Sequence, residues 1–158
     1  RRFVCVSYPR VSLPDVDWIP TFQHLLLRMG SEEDSLMQDP RLAVGLNSFN
    51  ASDWYAAHDL FEELWHETQG PVRPVLQGVL QIAVAHLHLE RDNSNGAMIL
   101  LGEGIGRLSL VDDNVLGLDI QTLKTLAQVR LQRLQRGLSL DGCPPLRLDR
   151  LSDAPSLH

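Results

Sequence analysis

Six residues combine chemistry-capable types with helical spacing. His58 and Glu62 stand four apart, and Trp65 continues their face. Gln77, Gln81 and His88 follow at i, i+4 and i+11, which is one stripe of an α-helix. Two imidazoles and a carboxylate are a metal-ligating set, so His58, Glu62 and His88 are candidate ligands. No further strong ligand is fixed by spacing, and a hydrogen-bonded network of the same side chains is the competing expectation. Gln77, Gln81 and His88 suit either a small-ligand pocket between helices or polar groups satisfied within the core. Glu63 and His66 form one Glu-x-x-His pair, but di-iron bundles need two such pairs and further glutamates. Gly102, Gly104 and Gly106 lie in a helical pattern with no strand before them, so close helix packing is expected there rather than a phosphate loop. No nucleophile-elbow, Walker or zincin motif occurs, and neither cysteine has a neighbouring histidine.

These residues need helices to position them, and the chain reads as helices with short connections. Residues 20–29 could form a short helix ending near Gly30 and an acidic stretch over 31–34. Asp39 caps a helix with Pro40 at its first position, and Leu42, Ala43, Leu46 and Phe49 recur at helical spacing. Ser52 is placed to cap the next helix, which runs to about Thr68 and stops at Gly70. Pro71 and Pro74 mark the start of a third helix reaching about Glu90. Asp92 to Asn95 is a loop and cap, a fourth helix runs to about Leu110, and 112–117 is a break. Asp119 to Arg136 is a periodic helix ended by Gly137. The fold class is all-α, a compact antiparallel bundle of about five helices.

The third helix is apolar around nearly its whole circumference, which places it at the centre of the domain. Its polar stripe therefore needs partners, since a buried unpaired polar group costs about 1–3 kcal/mol. Antiparallel packing through Gly70–Pro71 would set His58 and Glu62 against Gln77, Gln81 and His88, as a buried polar cluster. His86 lies about 200° around from His88 and is expected near a rim or solvent. Asn50 most simply serves the turn before the next helix.

The motifs carry a resemblance. Phe49-Asn50, Tyr55-x-Ala57-His58-Asp59-x-x-Glu62-x-x-Trp65 and Gly70-Pro71-x-Arg73 form its first half. Gln77-Gly78-x-x-Gln81-x-Ala83-x-Ala85-x-x-His88-Leu89, Gly96-Ala97 and Leu101-Gly102-Glu103-Gly104 form its second. Together they resemble the family called domain of unknown function 309, over about residues 42–110. The resemblance implies a small all-α domain, found chiefly in bacteria and in cyanobacterial and plant lineages, and implies no activity. Val75-Leu76 stand where the family often has an aromatic pair, a departure from its pattern.

Length and composition bound the rest. The chain has 158 residues, 44% of them hydrophobic and 22% charged, the size and balance of one globular domain. Its net charge of −6 speaks against nucleic acid as a partner. No apolar run is long enough to span a bilayer, so no membrane association is expected. Cys5 and Cys143 form no Cys-x-x-Cys pair, which disfavours a disulfide scaffold or a thiolate metal site. No cofactor is expected beyond the metal alternative.

Residues 1–37 read as an N-terminal arm, 38–138 as a single helical domain and 139–158 as an irregular tail without a core-facing period. Residues 1–14 carry three arginines and no acid, compatible with a frayed arm or the end of a transit peptide. The expected location is the cytoplasm, with the plastid stroma as alternative. The 119–136 helix joins an apolar stripe to Arg130, Arg133 and Arg136, a candidate surface for a second copy or a protein partner.

Two functions from different classes remain. The first is a non-catalytic helical binding or structural module, with self-association through the last helix. The second is an enzyme or a small-ligand or metal binder using His58, Glu62, Gln77, Gln81 and His88, with Trp65 as pocket wall. The absence of a nucleophile, substrate clamp or cofactor motif in the sequence favours the first.

Overall fold

The computed structural model describes residues 32–153; 1–31 and 154–158 lie outside it, and with them the expected helix over 20–29. Residues 32–38 are helical (α1), so the acidic residues 32–34 lie within a helix rather than a connection. Leu36 is buried in the core, and the Glu33 carboxylate accepts a hydrogen bond from the Leu116 N–H at 2.9 Å. The packed unit thus starts before residue 38.

Four of the five later helices begin at a capping side chain, and the one over Arg73–Glu90 follows a glycine turn instead. Asp39 accepts from the Arg41 N–H at 2.9 Å and starts α2 (Pro40–Asn50). Leu42, Gly45, Leu46 and Phe49 form its buried face, whereas Ala43 is exposed. Ser52 was the expected cap of the next helix, but it takes a left-handed turn conformation with φ 59°, and Asp53 caps instead by accepting from the Ala56 N–H. α3 (Trp54–Glu67) follows and buries Trp54, Ala57, Phe61 and Leu64. Gly70, at φ +85°, turns the chain into α4 (Arg73–Glu90). Asn93 caps α5 (Ser94–Leu108), and Asp119 caps α6 (Ile120–Gln135). A short 3-10 turn, Val115–Gly117, lies between the last two.

The result is an all-α bundle with α4 at its centre, packed against α3 on one side and α5 on the other. α2 lies on α3, and α6 on α5. The start of α3 meets the end of α4, where Trp54 stacks on His86 at 4.3 Å. The end of α3 meets the start of α4, where the Arg73 guanidinium lies 4.3 Å over the Trp65 ring. The two helices are therefore antiparallel.

α4 and α5 approach closely because glycine faces glycine. A Cβ on Gly104 would sit 2.9 Å from the Gly78 carbonyl oxygen, and one on Gly78 would sit 2.9 Å from Leu108. The close-packing expectation for the three α5 glycines thus holds for Gly104 alone. Gly102 and Gly106 face open space.

The segment after α6 departs from a loose tail. It is irregular, yet Leu146 and Leu148 are fully buried, and Arg150 forms an isolated antiparallel bridge with Leu118. Two leucines, too few to show a period, are enough to dock it.

Candidate functional site

The antiparallel α3/α4 pair brings His58 and His88 to one cleft. Its volume is about 210 Å³, and Tyr55, His58, Val84, Leu87, His88 and Arg91 line it. Val84 and Leu87 supply apolar wall. Tyr55 stands at 64% exposure with its ring 6.0 Å from that of His58. His58 Nε2 lies 3.4 Å from a Glu62 oxygen, and its Nδ1 is buried 3.2 Å from Asp59 without a hydrogen bond. His88 Nδ1 is 3.0 Å from the Asn93 side-chain nitrogen. That amide can only donate, so His88 accepts at Nδ1 and carries its proton on Nε2.

The other expected site residues lie elsewhere. Glu62 sits on the rim between His58 and His66, with 46% of its side chain exposed. Gln81 turns to α5: it donates to Glu103 at 2.9 Å and accepts from Arg107 Nε at 2.9 Å. Gln77 is half-buried on the same stripe. Trp65 lies two turns along α3 from His58, roofed by Arg73 and with its Nε1–H buried and unpaired. The Gly78–Gly104 approach explains the division, because it draws the polar stripe of α4 towards α5 rather than α3. The cluster is therefore partly exposed and split, not one buried network. Among the described residues no three His, Cys, Asp or Glu side chains are grouped to hold a metal ion.

His86 is the residue that sequence reasoning misplaced. It is 4% exposed, not at a rim. Trp54 of α3 stacks on it, the Ile82 carbonyl lies 2.8 Å from Nδ1, and Arg130 of α6 lies 3.2 Å from Nε2. A carbonyl only accepts and a guanidinium only donates, so His86 is the neutral Nδ1–H tautomer. Burial, and then the facing Arg130, push its pKa down to about 4. Arg130 continues to the Pro144 carbonyl at 3.1 Å, and its Nε is buried without a partner. α4 is partly exposed along Gln77, Gln81, Val84 and His88 and buried on the opposite face, so His86 lies on the buried side. The signal was the apolar run that surrounds His86 in sequence.

The apolar stripe of α6 packs inward, with Ile120, Leu123 and Ala127 buried. Arg130 is committed to His86, and Arg133 donates to the Ser139 carbonyl at 2.7 Å. Two of the three expected basic-edge residues thus hold the chain's own elements. No helix among the described residues is long and apolar enough to cross a membrane.

No curated protein matches the chain. Residues 42–100, from α2 into the first half of α5, match the family model described as Domain of unknown function (DUF309), the family that the motifs resemble.

Proposed function

We propose that the chain is a non-catalytic helical binding module, and that the α3/α4 cleft receives an apolar side chain flanked by hydrogen-bond acceptors or carboxylates. One observation carries this: the cleft walls are Val84 and Leu87, while its polar lining is Tyr55, His58, His88 and Arg91 with no carboxylate. Apolar wall supplies affinity, and the imidazoles, phenol and guanidinium supply orientation. Tyr and Arg are also the side chains most enriched where partners bind tightly. The division of the polar set supports binding over catalysis, since Gln81 is already engaged by Glu103 and Arg107.

Selection of displayed random peptides on the immobilised chain tests this. Recovered sequences should share an apolar residue beside Asp or Glu. Their binding should be lost in Leu87→Asp, weakened in Arg91→Glu and unchanged in Asn50→Ala. Peptides with no such consensus, or with binding indifferent to Leu87→Asp, would refute the reading.

A further inference from the structure

Asn50 does more than serve a turn. Its side-chain oxygen accepts from the Leu148 N–H at 2.8 Å, and its amide donates back to the Leu148 carbonyl at 3.1 Å. One side chain thus grips both backbone groups of a residue 98 positions away. The gripped segment alternates as a strand does: Leu146 and Leu148 are fully buried and Arg147 is exposed. Two more backbone carbonyls are held, Pro144 by Arg130 and Asp149 by the Asp119 N–H at 2.9 Å. Recognition is completed by the Asp149 carboxylate, 3.2 Å from the Asn50 amide, and by Arg150 donating to the Met37 carbonyl. An open cavity of about 550 Å³ runs between α2 and residues 147–150.

We propose that the groove between α2 and the start of α6 is a peptide-recognition groove. It takes an extended Leu-x-Leu-Asp segment of a partner protein, and residues 146–149 fill it in cis as an intramolecular competitor. Three hydrogen bonds reach the backbone of residues 146–149, which any extended peptide offers, while the two buried leucines and the Asn50–Asp149 contact provide selection. The receptor residue Asn50 lies inside the family match at 42–100, whereas its ligand lies outside it. The connection back to α6 is mostly exposed over 138–142, with Gly137 and Gly142 at positive φ, so the segment can leave without unwinding a helix. Tethering gives it an effective concentration of about millimolar, which a partner must outcompete.

The experiment uses the full chain with a protease site built into residues 139–142 and cut after folding. A fluorescent peptide with the sequence of residues 143–152 is followed by anisotropy, and helix content by circular dichroism. The peptide should exchange saturably into the cut protein and bind the uncut protein at least 10-fold more weakly. A Leu148→Asp peptide should lose at least 100-fold, and Asn50→Ala protein at least 10-fold, with helix content retained. Loss of helix on cutting, no saturable exchange, or equal binding of the Leu148→Asp peptide would each overturn the proposal. An uncut protein that dimerises until Leu146 and Leu148 are replaced would put a second copy in the groove and overturn the foreign-peptide assignment.

Discussion

Lowering the pH should destabilise the bundle through His86 before most of its carboxylates titrate. In the folded chain the imidazole titrates near 4, against an ordinary value of 6.5. Between these values the unfolded chain binds a proton that the folded one excludes. Stability is therefore fully present above about pH 6.5 and falls as pH drops through about 4. The gap converts, at about 1.4 kcal/mol per pH unit, to about 3 kcal/mol. The structural cause is specific. A proton on Nε2 would set two donors and two positive charges against each other at 3.2 Å, under the stacked Trp54 ring. Urea unfolding at half-unit steps from pH 7 to pH 4.5, followed by circular dichroism, reads the effect. Wild type should lose most of the 3 kcal/mol across that range, and His86→Gln, which cannot titrate, should be nearly flat. Equal slopes in the two proteins would refute the assignment of His86 as a buried neutral donor–acceptor.

Other substitutions test the packing. Gly104→Ala should destabilise by about 1–2 kcal/mol in thermal melts, because its Cβ meets the Gly78 carbonyl and Ile82, partly offset by helix propensity. Gly102→Ala, facing open space, should instead stabilise by about 0.5–1 kcal/mol. Leu148→Ala should cost about 2–4 kcal/mol in urea unfolding, as for any fully buried leucine. Gln81→Ala should cost about 1 kcal/mol by removing the partner of Glu103 and Arg107, while His58→Ala should stay within about 0.5 kcal/mol.

The helices were legible because each carries its own punctuation. Asp39-Pro40, Gly70-Pro71, Asn93 and Asp119 each act as the sequence suggests. Ser52 misled because a capping side chain and a turn residue have the same chemistry, and Asp53 stood next to it. The candidate site was legible only in part. Helical spacing places His58 and His88 on inward-turning faces, but it does not say which neighbour each face meets. The Gly78–Gly104 contact decides that, and it depends on two glycines 26 positions apart. His86 and the docked leucines share a different cause. Their burial comes from α6 and the C-terminal segment folding back, a long-range event that no local period records.

The claim that the α3/α4 cleft is the binding surface is tested most directly by mapping a selected acid-flanked apolar peptide onto the isotopically labelled chain by NMR. Saturating shifts should centre on Tyr55, His58, Leu87, His88 and Arg91, fade along α3 towards Trp65, and leave Asn50 and Leu148 unmoved. Shifts confined to any other face, or none at saturating peptide, would contradict it.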